Sequence, residues 1–104
     1  LKHGYAPIEQ YDAHGKQGPW TDVYSLCGSI FYLLTGRKPQ RAYERVSEDK
    51  MVSLRQMGVH ISEEKSQAVE KGLSVQIEDR YQQMADLYYD LYGETLSGEM
   101  GKQS

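Results

Sequence analysis

The feature that most constrains this chain is a run of apolar side chains at helical spacing that ends at a glycine. The apolar positions are Val23, Leu26, Cys27, Ile30, Leu33 and Leu34. Their spacing is that of an α-helix, and because aromatic residues fill the other sides, the helix is expected to be buried. Thr21 resembles an N-cap, Asp22 suits the positive end of the helix dipole, and Gly36 suits a left-handed C-cap. We therefore predict a buried central helix over residues 22–35.

The segments on either side of this helix predict further helices and no strands. Gly and Pro punctuate residues 1–19, which indicates an irregular segment with at most one helical turn near Glu9. A short helix is predicted to start at Pro39, whereas residues 47–58 are compatible with either a helix or a structured loop. Because no alternating strand pattern is present, the predicted fold class is all-α.

Two closing helices complete the predicted architecture. Ser62 is an N-cap candidate for a helix of about ten residues. Apolar positions at i, i+3, i+4, i+7 and i+8 from Met84 predict a last helix that ends at Gly93. Residues 94–104 carry little to bury and are predicted to form a flexible C-terminal tail.

Composition excludes several classes of protein. With 104 residues and a net charge of −3, the chain suits one small domain or part of a larger one. The basic residues Arg37, Lys38, Arg41 and Arg45 are interpreted as solvated charges, so nucleic acid is not an expected partner. Cys27, the single cysteine, is predicted to be a small buried hydrophobe. No apolar run is long enough for a membrane span. Because the chain opens at Leu1, we expect it to be a piece of a longer polypeptide.

Three segments carry a resemblance to a known family. Gly4–Gln10 (GYAPIEQ) resembles the Ala-Pro-Glu segment that closes the activation region of bacterial-type serine/threonine protein kinases. Residues 22–36 are similar to the central helix of the kinase large lobe, which has the pattern D-V-W-S-L-G…L-L-T-G. Residues 73–84 resemble the stretch that carries an arginine before the last helix of that lobe. The resemblance implies that residues 1–93 are the C-terminal part of the helical lobe (C-lobe) of such a kinase.

The resemblance implies roles for individual residues. Glu9 and Arg80 match a structural ion pair, which a guanidinium can form through two parallel hydrogen bonds. Asp22 matches the aspartate that supports the catalytic loop. Lys2, Gly4 and Tyr5 fall in the segment that docks the protein substrate. Lys2 occupies the place of a threonine that helps to select hydroxyl substrates, which weakens the assignment of substrate class.

The motifs that handle phosphate are absent from this sequence. It contains no Gly-rich loop, no His-Arg-Asp loop and no Asp-Phe-Gly, and phosphoryl transfer depends on such positioned groups and on metal ions. We therefore assign no catalytic, cofactor-binding or metal-binding residue to this chain and expect it to be inactive alone. The resemblance implies that the intact kinase binds ATP and Mg²⁺ and phosphorylates proteins.

Two alternatives remain open at this stage: a pseudokinase scaffold that acts as a binding module, and a freestanding helical interaction domain. The expected partners are the remainder of the kinase domain and its protein substrate. The expected compartment is the cytoplasm, with any membrane anchor outside this segment. Excision should leave part of the central helix facing water, so we also predict that the chain forms a homodimer or otherwise self-associates.

Overall fold

The structure, a computed structural model, describes residues 4–93, and within that range it contains helices and no strands. The α-helices are α1 (Pro19–Thr35), α2 (Ala42–Ser47), α3 (Glu63–Gly72) and α4 (Met84–Tyr92), with 3₁₀ turns at Ile8–Gln10 and Ile77–Asp79. The predicted all-α class is confirmed. Lys2 and the predicted tail, residues 94–104, lie outside the described residues.

Helix α1 starts earlier than the sequence pattern predicts. Pro19 occupies its first turn, where the ring presets the helical φ and no amide hydrogen bond is lost. The prediction of Thr21 as N-cap is therefore wrong: Gly18 is the cap, and its amide donates to Thr21 Oγ1 at 3.1 Å. The helix ends as predicted, since Gly36 has a φ of +75° and its amide donates to the Tyr32 carbonyl.

The core lies where α1 packs against α3 and α4, which also pack against each other. Its buried side chains are Val23, Tyr24, Cys27, Phe31, Ala42, Leu54, Ala68, Val69, Leu73, Tyr81 and Leu87. Helices α1 and α3 approach closely at Gly72, where a Cβ atom would clash with Cys27 Sγ. Burial raises the pKa of the Cys27 thiol to about 12, so the side chain is a neutral hydrophobe at neutral pH.

Residues 48–62 form turns and irregular backbone rather than a helix. Side chains in this segment bind nearby amides and compete with helical hydrogen bonds. Asp49 Oδ1 accepts from the Met51 amide at 3.0 Å, and Ser53 and Gln56 exchange side-chain to backbone bonds at 3.0 and 3.1 Å. Leu54 is buried in the core, and the partly buried Met51, Met57, Val59 and Ile61 pack against it. The segment is therefore a structured loop, one of the two forms that the pattern allowed.

No helix within residues 4–93 combines the length and the hydropathy needed to cross a membrane.

Candidate functional site

The structure brings Glu9 and Arg80 together, although they are 71 positions apart in the chain. Arg80 Nη1 lies 2.7 Å from Glu9 Oε2, and Nη2 lies 3.3 Å from Oε1, which is a two-point contact between guanidinium and carboxylate. Both side chains are almost fully buried, with exposures of 0% and 2%. Thr21 Oγ1 donates to the same carboxylate at 2.8 Å. This contact fastens the segment that follows Gly4 to the start of α1.

Every donor of the Arg80 guanidinium has an acceptor. Besides the two bonds to Glu9, Nε donates to the Ser74 carbonyl, Nη2 to the Val75 carbonyl and Nη1 to the Trp20 carbonyl, each at 3.0 Å. An arginine side chain has five such donors in a fixed planar arrangement, and here all five are used. Arg80 therefore joins three stretches of chain: the first 3₁₀ turn, the start of α1 and the link after α3.

Tyr24 connects Arg80 to a second buried arginine, Arg45. The Arg80 guanidinium carbon lies 4.9 Å from the centre of the Tyr24 ring, and Arg45 Nη1 donates to the Tyr24 hydroxyl at 3.2 Å. Arg45 also binds the Leu73 carbonyl and both carboxylate oxygens of Asp49. Although partial burial would raise the pKa of Asp49, the hydrogen bonds from Arg45 and Met51 outweigh it and lower that pKa. The interpretation of Arg45 as a solvated charge is therefore wrong.

One face of α1 is exposed along its whole length and carries Asp22. The residues on this face are Asp22, Leu26, Ser29 and Leu33, spaced by four, three and four positions. All of them are exposed, and Leu33 reaches 81%. The Asp22 carboxylate makes no hydrogen bond or ion pair within residues 4–93. We call this surface the Asp22 face.

The segment Gly4–Tyr5 lies against the middle of α1. Ser25 Oγ donates to the Tyr5 carbonyl at 3.0 Å. Gly28 makes the close approach possible, because a Cβ atom there would lie 3.0 Å from Tyr5 Cδ1 and 3.3 Å from the Gly4 carbonyl oxygen. Gly4 itself has a φ of +92°, in the left-handed region that glycine tolerates best. The Tyr5 ring meets the exposed Tyr32 ring edge-on, with centroids 6.4 Å apart.

Within residues 4–93, no three His, Cys, Asp or Glu side chains converge in a way that would hold a metal ion.

The comparisons with known proteins gave one structural match. No family model matches the chain, and no curated protein sequence does. The solved structure "PpkA-294 apo form", from a bacterial serine/threonine kinase, superposes with a TM-score of 0.80 and 36% sequence identity over 88% of this chain. The chain is kinase-related. It spans about a third (32%) of the length of the PpkA-294 chain.

Sequence reasoning selected Glu9 and Arg80, which the structure brings together, and Gly4 and Tyr5, which lie beside α1. The structure places Asp22 in the first turn of α1, on its exposed face, and the predicted support of the catalytic loop stays a prediction. Sequence reasoning missed Arg45, for which a signal existed: Asp49 follows four positions later, the spacing at which side chains meet on a helix.

Proposed function

We propose that this chain is the C-terminal part of the helical lobe of a protein serine/threonine kinase. In the intact polypeptide, the γ-phosphoryl group of ATP is transferred to serine or threonine hydroxyls of protein substrates. The observation that carries the proposal is the PpkA-294 match, at 36% identity and a TM-score of 0.80. This match extends over 88% of the chain.

The Asp22 face supports this proposal, because its exposed apolar side chains are typical of a surface that contacts another part of the protein. An apolar side chain as exposed as Leu33, at 81%, is costly when its neighbours on the helix are also apolar. The occupant of this face is the rest of the kinase domain, and the PpkA-294 chain is long enough to hold more than the matched part, since this chain covers 32% of it. Asp22 then accepts hydrogen bonds from the backbone of the catalytic loop, and Leu26 and Leu33 pack beneath it.

The chain's contribution to phosphoryl transfer is positioning. ATP and Mg²⁺ are held by groups elsewhere in the polypeptide, and they supply the phosphoryl donor and the charge that neutralises its oxygens. The Glu9–Arg80 ion pair fixes the Gly4–Tyr5 segment relative to α1, and this segment docks the protein substrate. Misplacement of a positioning group by 1 Å costs about 100-fold in rate.

The test compares two aspartates in the full-length polypeptide. Asp22 and Asp86 each lie in the first turn of a helix, and both are exposed. We expect Asp22→Asn to lower the kcat for phosphorylation of a serine or threonine peptide by about 10- to 100-fold, because the catalytic loop loses an anchor. Asp86→Asn is the matched control and should leave kcat unchanged.

The result also separates the alternatives. Full activity of Asp22→Asn contradicts the role of this carboxylate. A full-length polypeptide that transfers no phosphate is a pseudokinase scaffold or a helical interaction domain, and this result overturns the proposed function.

A further inference from the structure

Two cations, Arg37 and Lys38, are side by side in the sequence and, like Lys16, Arg41, Lys65 and Lys71, form no ion pair within residues 4–93. Arg45, Lys50, Arg55 and Arg80 each lie within 4.0 Å of an acidic side chain. Arg37 and Lys38 are both exposed. A pair of like charges side by side is a surface that favours a negatively charged partner.

The backbone around these cations is held in place. The Arg37 amide donates to Thr35 Oγ1 at 3.0 Å, which fixes the turn after α1. Pro39 is buried, and Lys38 and Pro39 pack tightly against Gly4. A Cβ atom added at Gly4 would lie 3.2 Å from the Lys38 Cβ atom and 3.1 Å from the Pro39 carbonyl oxygen. The position of Lys38 is therefore coupled to the segment proposed to dock the substrate.

The Lys38 ammonium group lies next to the Tyr5 ring, in the segment proposed to dock the substrate. Its Nζ atom is 5.8 Å from the centre of the Tyr5 ring, at the outer limit of a cation–π contact. The exposed Tyr32 ring adjoins Tyr5 on the same surface. An extended peptide that lies on these two rings would bring its side chains within reach of Lys38, whose positive charge favours a carboxylate.

We propose that Lys38, with Arg37 beside it, makes this kinase select protein substrates that carry an acidic side chain near the phosphorylated residue. The inference rests on the proposed function and adds the substrate class to it. Lys38 acts as a specificity-determining residue: it binds the flanking carboxylate and takes no part in the transfer of phosphate.

The test uses the full-length polypeptide and sets of serine peptides that differ only by Glu, Gln or Lys at each flanking position. At one or more positions, kcat/KM should be about three- to fivefold higher for Glu than for Gln, the range expected for an exposed ion pair. The preference should fall in high salt, which screens exposed charges. Lys38→Gln should abolish the preference, and Lys38→Glu should reverse it in favour of Lys peptides.

Lys65→Glu is the matched control, because Lys65 is an exposed lysine in the first turn of α3; it should leave the Glu-to-Gln ratio unchanged. Equal kcat/KM values for Glu and Gln peptides in an active kinase overturn this inference and leave the proposed function intact. Absence of any phosphorylation overturns the proposed function instead. In that case, the binding of the same peptides, measured by fluorescence polarisation, tests the selection separately: equal Kd values for Glu and Gln peptides overturn it.

Discussion

At the scale of single residues, Arg80 shows why arginine and lysine are not equivalent in a buried site. Its planar group reaches Glu9 and three backbone carbonyls at once. A lysine ammonium group has one nitrogen and three donors, so it can satisfy only part of this set. The buried Glu9 carboxylate and the carbonyls that lose a donor then carry the cost of their own desolvation.

We predict that Arg80→Lys lowers the free energy of unfolding by about 2–3 kcal/mol, although the charge is kept. Arg80→Ala should lower it by about 3–5 kcal/mol, because Glu9 is left as an unpaired buried charge. Urea unfolding followed by the fluorescence of Trp20, the single tryptophan, measures both values.

Arg55→Lys is the control for this series. Arg55 pairs with Glu63 at 3.5 Å, but the two side chains are 54% and 67% exposed, and such pairs contribute at most about 1 kcal/mol. If Arg80→Lys lowers the free energy of unfolding by no more than Arg55→Lys does, the five hydrogen bonds of the Arg80 guanidinium do not stabilise the fold more than a single exposed ion pair.

The two buried arginines also mark how far the sequence permits prediction. The pairing of Glu9 with Arg80 is predictable only from the family motifs that surround the two residues, because their separation along the chain gives no local signal. Arg45 lies in a short, highly charged helix, where solvation is the ordinary state of an arginine. Its burial depends on the Tyr24 hydroxyl and the Leu73 carbonyl, which only the tertiary structure brings close.

At the scale of elements, the contact between α1 and α3 depends on a missing side chain. Gly72 ends α3 directly opposite Cys27, and no room exists there for a methyl group. Close helix approach at a glycine lets the flanking Val23 and Val69 side chains reach the shared core.

We predict that Gly72→Ala lowers the free energy of unfolding by about 1–3 kcal/mol, because the added methyl group forces the helices apart. Removing the opposing sulfur should offset part of this cost. In a Cys27→Ala background, the same Gly72→Ala change should therefore cost less, as a double-mutant cycle of chemical unfolding measures. Equal costs in both backgrounds would show that strain at Gly72 arises elsewhere.

Helix boundaries followed local chemistry more closely than apolar spacing. Gly36 and Gly93 end their helices with φ values of +75° and +74°, as their positions predict. The spacing of Met51, Leu54 and Met57 also suits a helix, yet this segment is a loop. Hydrogen bonds between backbone amides and the side chains of Asp49, Ser53 and Gln56 favour the loop over a helix, and the spacing of apolar residues carries no information about these bonds.

At the scale of the whole molecule, residues 4–93 combine a buried core between α1, α3 and α4 with the exposed Asp22 face. Part of the apolar surface of α1 faces water, as predicted: Leu26, Leu33 and Leu34 are exposed and Ile30 is partly exposed, whereas Val23 and Phe31 are buried. Helices α3 and α4 and the loop before α3 cover the other sides of α1.

We predict that this chain, prepared by itself, forms a two-fold dimer through the Asp22 face. Burial of apolar surface stabilises a protein by about 25 cal/mol per Å². An isolated copy can bury the apolar residues of the Asp22 face by packing them against the same face of a second copy. Leu33→Glu should convert the dimer to a monomer, as light scattering at low micromolar concentration would show. Val46→Glu, a similar change at an exposed residue of α2, should leave it dimeric. A wild-type chain that scatters as a monomer contradicts the prediction.

The 71 positions between Glu9 and Arg80 have a consequence for how the protein is made. A ribosome adds about 5–20 residues per second, so Glu9 waits roughly 4–14 seconds for its partner to be synthesised. During that interval, the hydrogen bonds from Thr21 to Glu9 and from Ser25 to the Tyr5 carbonyl can join the segment to α1, but the buried ion pair is missing. The two-point contact between Glu9 and Arg80 is therefore among the last contacts of the segment Gly4–Glu9 to form, because it needs synthesis to have passed residue 80.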